Sequence, residues 1–213
     1  MERGWVGRVD GDHVVQLAAQ TLESFFTGGG TAREHAVYRL DAVRLLAPVL
    51  HPPSIRVFED ASSFSFANPA AVVGPEAAIP AQGPLSVLPR TAAVIGLEGA
   101  IGGFTVFGEW RLPAAPPPKD RDFALALGPV VVTRDATAAE GPLRVRVDGD
   151  PRLDTSLDSF DWSAARDLAA EGTRLRPGDL IAGPAAGIVD TVTVGSVVEI
   201  DVESIGTLRQ VVR

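Results

Sequence analysis

The sequence predicts a mainly β, α+β fold, and three observations carry that expectation. Apolar runs of strand length recur from Ser54 to the C-terminus. In that stretch a single long helical pattern stands out, near residues 159–170. Strand-like and helix-like segments do not alternate regularly, which argues against a doubly wound parallel sheet.

Residues 5–9 and 14–17 flank Asp10-Gly11-Asp12, the pattern of a hairpin. Leu17, Ala18, Leu22 and Phe25 then recur at helical spacing, and Gly28-Gly29-Gly30 ends the run. Residues 36–46 are mixed, and Pro48, Pro52 and Pro53 break the chain. The expected organisation is a small N-terminal subdomain with a proline-rich connector over 1–52, followed by a core domain over 53–213. In the core, strands are expected at 92–96, 103–107, 129–133, 143–148, 191–194 and 197–202. Val198, Ile200 and Val202 alternate with Glu199, Asp201 and Glu203, the period of a half-buried strand. Asp148-Gly149 reads as a tight turn. The helix near 159–170 presents Trp162, Ala165, Leu168 and Ala169 on one face, with Gly172 as its stop. The run "AAPPPKDRD" is a loop.

Composition excludes several functions. The chain has 213 residues, 46% of them hydrophobic, enough for one sizeable core. Without cysteine it has no disulfide, thiolate metal site or cysteine nucleophile. The net charge is −8 and no basic stripe runs along a face, so neither nucleic acid nor an acidic membrane surface is an expected partner. No apolar run reaches membrane-spanning length, and the N-terminus "MERGWVGRVDGDHVV" lacks an apolar signal core; a cytoplasmic location is expected. Ser62, Ser63 and Ser65 sit in no nucleophile elbow. Asp148, Asp150 and Asp154 lack the distal glutamate of a calcium loop. His13, His35 and His51 have no metal-ligand spacing.

Several motifs, in order along the chain, carry a resemblance. They are "LESFFTGGG", "VRLLAPVLHPPSIR", "FSFANPAAVVGP", "GFTVFGEW", "KDRDFALALGPVVVT", "RVDGD", "LRPGDLIAG" and the closing "VESIGTLRQVV". Together they resemble the fumarylacetoacetate hydrolase family over almost the whole chain. The resemblance implies a mixed β-roll core with a small N-terminal subdomain, and a homodimer. It also implies hydrolysis, decarboxylation or isomerisation of β-dicarbonyl oxo-acids, with magnesium or calcium as the Lewis acid that chelates the substrate's enolate oxygens.

The site positions depart from that pattern. The family's Glu-x-Glu ligands correspond to Leu88 and Arg90, and its Asn-Asp pair to Gly108 and Glu109. Leucine offers no donor and arginine repels a cation, so no metal and no cofactor is expected, and Glu109 reads as solvated or arginine-paired. Arg121 stands at the family's catalytic lysine, two residues after Lys119, which reads as an exposed loop lysine. Glu59 follows Phe58 as in hydrolytic members, but the water-activating histidine is missing. Pro184-Ala185 replaces the Gly-Thr near the substrate carboxylate. The chain is shorter than family members after Glu59, after Gly96 and between Trp110 and Lys119, which predicts a more open cleft.

The residues left to act are Arg121 and Glu109 as catalytic candidates, and Arg90, Arg111, Trp110, Lys119 and Glu59 as binding candidates for a small anionic or oxo-acid ligand. Trp110, next to Glu109, is expected near the cleft. The leading expectation is a noncatalytic binding or partner subunit. The alternatives are a metal-independent isomerase or cyclase with a biosynthetic substrate, and a residual metal-dependent hydrolase or decarboxylase.

Overall fold

The structure is a computed structural model that describes residues 4–27 and 31–213. The triglycine expected to end the first helix lies outside the described residues. The chain opens with an antiparallel sheet of β1 (Gly7–Asp10), β2 (His13–Ala18) and β3 (Thr31–Arg39). Asp10 pairs with His13, which leaves Gly11 and Asp12 as the turn, and Gly11 has φ +58°. The helix expected from Leu17 is instead α1 (Leu22–Phe26), capped by the Thr21 hydroxyl on Ser24 N. Val15, Leu17 and Ala19 are all buried, so period-two burial governs this stretch and holds 17–18 in a strand. The mixed segment 36–46 begins as part of β3.

The next strands are β4 (Ile55–Asp60), β5 (Ser63–Ala67), β6 (Val72–Val73), β7 (Ala78–Ile79), β8 (Leu85–Ile95), β9 (Ile101–Arg111) and β10 (Leu125–Thr133). They are followed by β11 (Gly141–Val147), β12 (Asp150–Leu157), α2 (Trp162–Ala170), β13 (Leu180–Ala182), β14 (Val189–Val192), β15 (Val197–Val202) and β16 (Gly206–Val212). One sheet has the order β5-β4-β13-β8-β9-β10-β6, with β14 also on β8; a second has the order β12-β11-β15-β16-β7. The fold is a mainly β mixed roll with a small N-terminal sheet.

The long strands β8 and β9 have buried residues on both faces and divide the core. On one face Val87, Ala93, Val106 and Trp110 join Leu143, Val145 and Ile200 of the second sheet. On the other, Ala92, Val94 and Phe107 pack with Val49, Ile55 and Leu180. The helix α2 occupies the expected span, with Asp161 Oδ1 accepting from Ala164 N and Ala165 and Ala169 buried. Asp148-Gly149 makes the turn between β11 and β12, where Val147 pairs with Asp150. Asp154 lies 3.7 Å from Arg144, as a surface ion pair.

Candidate functional site

Alternation on the paired strands β8 and β9 decides which side chains meet. Leu88 lies opposite Glu109, Arg90 opposite Phe107 and Ser86 opposite Arg111. The side chains of Arg90, Glu109 and Arg111 therefore share the face that carries Ala92 and Phe107. Trp110 points to the other face and is fully buried in the core against the second sheet. The expectation of Trp110 beside the cleft is thus corrected: neighbours along a strand face opposite ways.

Arg90 has no exposed surface. Its Nε donates to Glu109 Oε2 at 2.9 Å. Its Nη1 donates to Phe58 O at 3.2 Å, to Gly183 O at 2.9 Å and to Glu59 Oε2 at 3.3 Å. Its Nη2 donates to Glu59 Oε1 at 2.6 Å. The guanidinium is thereby clasped by a buried carboxylate on one side and a surface carboxylate on the other: the Glu109 side chain is 2% exposed and that of Glu59 66%. An arginine taken out of water requires this degree of satisfaction, since its desolvation costs several kcal/mol.

Glu109 is arginine-paired on both oxygens, and is not solvated. Arg111 Nη2 lies 2.7 Å from Glu109 Oε1, and Arg111 Nη1 lies 3.5 Å from Asp120 Oδ2. The Asp120 contact ties the 112–124 loop to β9. The more open cleft expected from the shortened loops does not expose Arg90, because Glu59, Phe58 and Gly183 close around its guanidinium. Gly183 is itself a close-approach position: a Cβ there would meet Trp162 Cη2 of α2 at 2.9 Å.

A second cluster forms in the loop. Lys119 Nζ pairs with Asp122 Oδ2 at 2.5 Å, and Asn68 Nδ2 donates to Asp122 Oδ1 at 2.7 Å. The Lys119 ammonium, and then the Asn68 amide, hold the Asp122 carboxyl below the usual carboxylate range. Lys119 is exposed, as expected of a loop lysine. Arg121, between these ties, is half-buried and its side chain has no partner among the described residues. The structure thus joins Arg90, Glu109, Arg111 and Glu59 in one network and leaves Lys119 and Arg121 outside it.

Sequence reasoning missed Asn68 and Asp120, although both lie inside quoted motifs; Asn68 meets Asp122 from far along the chain, and Asp120 meets Arg111 only because the loop folds back on β9. His13 contacts Asp12, and His35 and His51 are exposed. Among the described residues, no group of three or more histidines, aspartates and glutamates could hold a metal ion. No helix among them is long and apolar enough to cross a membrane.

The model for the fumarylacetoacetate (FAA) hydrolase C-terminal region matches residues 98–213, more than half of the chain. Comparison with curated proteins gives no match. Among solved structures, the chain is similar to the fumarylacetoacetate hydrolase of Exiguobacterium antarcticum, at 23% identity and a TM-score of 0.82 over 98% of this chain and 95% of that one. It is similar to the 2-hydroxyhepta-2,4-diene-1,7-dioate isomerase of Mycobacterium marinum, at 25% identity and a TM-score of 0.79 over 98% and 92%. It is similar to the maleylpyruvate hydrolase of Sphingobium in complex with manganese(II) and pyruvate, at 20% identity and a TM-score of 0.78 over 98% and 96%. With its matched C-terminal half and the motifs now assembled on one roll, the chain belongs to the fumarylacetoacetate hydrolase family.

Proposed function

We propose that this protein is a family member without metal-dependent catalysis, acting as a noncatalytic small-molecule-binding or partner subunit. The observation that carries this reading is the buried Arg90 guanidinium between Glu59 and Glu109. A hard divalent cation needs several free anionic oxygens. Here Leu88 offers none, Arg90 brings a positive charge, and both Glu109 oxygens are already paired with arginines. The donor set does not fit magnesium, calcium or manganese. In this reading the protein is cytoplasmic and forms a homodimer, closed two-fold assembly being the commonest oligomer. Its ligand is a small anionic or oxo-acid molecule, the class of the pyruvate held by the Sphingobium neighbour.

A second reading, a metal-independent isomerase or cyclase, is favoured by one observation. Arg121, which the resemblance sets at the catalytic-lysine position, is half-buried and has no side-chain partner among the described residues. It would orient an anionic substrate oxygen, while Glu109, held by two arginines, would be the carboxylate that moves a proton.

Progress curves on an acylpyruvate with and without EDTA separate these readings. The binding-subunit reading expects no turnover above background, with or without added manganese. The rival expects chelator-resistant turnover of some substrate that falls in Arg121→Ala and Glu109→Gln. Chelator-sensitive turnover would overturn both.

A further inference from the structure

We propose a second site, an oxyanion-binding groove between the start of β4 and the 173–179 segment. The groove has a volume of about 810 Å³, and Ser54, Arg56, Glu98, Arg174, Arg176 and Asp179 are among its lining. It shares no residue with the Arg90 network.

Arg56 is the reason to expect a ligand. It is 5% exposed, so its charge must be answered locally. Its Nη1 donates to Ser54 Oγ at 2.6 Å, and its nearest carboxylate, Asp179 Oδ2, lies 4.0 Å away. Asp179 is already engaged: Oδ1 accepts from Ser54 Oγ at 2.7 Å, and Oδ2 from Arg176 N at 2.7 Å. Among the described residues Arg56 Nε is buried without a hydrogen-bond partner. The contrast within one molecule is direct. Among the described residues Arg90 makes five hydrogen bonds from its guanidinium, and the side chain of Arg56 makes one.

The surroundings define the ligand's chemistry. The Arg56 guanidinium carbon lies over the rings of Phe64 and Phe66, 5.7 and 5.4 Å from their centroids, which places an aromatic wall beside the cation. Arg174 and Arg176 are exposed on either side of buried Leu175, so both reach the groove, and neither side chain has a partner among the described residues. Three guanidinium groups against Asp179 and Glu98 make this groove net positive on a chain of net charge −8. Forked N–H donors around an apolar rim suit a small oxyanion, phosphoryl or carboxylate, which accepts two donors at once.

Calorimetric titration of the full chain with inorganic phosphate, and separately with succinate, tests this at fixed ionic strength in a chloride buffer. At least one anion should bind once per chain. Its affinity should fall at least about tenfold in the Arg174→Ala/Arg176→Ala double variant, whose surface positions leave folding unaffected, and also in Arg56→Gln. Binding of phosphate alone assigns a phosphoryl group; binding of succinate assigns a carboxylate. No heat from either anion at roughly ten millimolar would overturn the proposal. So would binding that the double variant leaves unchanged, because the anion would then sit elsewhere.

Discussion

An arginine with no exposed surface survives in a core when every side of its charge is answered, and Arg90 shows how. Carboxylates from β4 and β9 and carbonyls of Phe58 and Gly183 converge on one guanidinium. Removing the cation alone strands Glu109 beside Arg111 and leaves two carbonyls without donors. Arg90→Ala should therefore cost about 3–5 kcal/mol in urea unfolding, the scale of a broken buried ion pair. Glu59→Gln should cost under about 1 kcal/mol, because that carboxylate faces water and is screened. Equal costs for the two would show that Arg90 is not the centre of the network. In the loop, Asp122 is held low by Lys119. A carboxyl with a depressed folded-state pKa contributes stability above the ordinary carboxylate range and loses it as pH falls through the folded value. A carbon-detected NMR titration should give Asp122 a midpoint below the ordinary range, and Lys119→Ala should raise it. An unmoved midpoint would assign the shift to Asn68 instead.

At the scale of elements, two glycines probe different constraints. Gly183→Ala would drive a methyl into the Trp162 ring, 2.9 Å from its built Cβ, and displace a carbonyl that accepts from Arg90. Overpacking of this kind should cost about 1–3 kcal/mol. Gly11→Ala, at φ +58° with open space around it, should cost about 1–2 kcal/mol from backbone strain alone. A thermal melt of each variant, with Trp162 fluorescence as a second readout, separates them: only Gly183→Ala should alter the tryptophan signal before unfolding. The elements also show why some were legible in the sequence. The strand at 197–202 alternates cleanly, and its bounds match the sequence pattern to the residue. The sequence pattern marks β8 only from 92, since Pro89 and Arg90 interrupt its apolar run; the Pro89 carbonyl accepts from Ala186 N. The spacing of Leu17, Ala18, Leu22 and Phe25 imitates a helix, yet pairing with β3 keeps the first two in a strand. The polar β12 sits at a sheet edge and has almost no apolar signature.

For the whole molecule, the roll brings residues 59, 90, 109 and 183 to one point, a convergence that no local pattern announces. Residue types at motif positions carry the proposed departure from the ligand set that the resemblance implies. They left Trp110 on the wrong face and left the closure over Arg90 unread, because both depend on which way a strand's side chains point. Assembly belongs at this scale as well: light scattering at micromolar concentration should return the mass of a two-chain particle, and a monomer mass would contradict the proposed homodimer. The central claim is that a built-in guanidinium stands where a divalent ion's carboxylate ligands would be required. Calorimetric titration of the full chain with manganese tests it most directly. The account predicts no binding in the micromolar range; stoichiometric binding abolished by Glu109→Ala would contradict it.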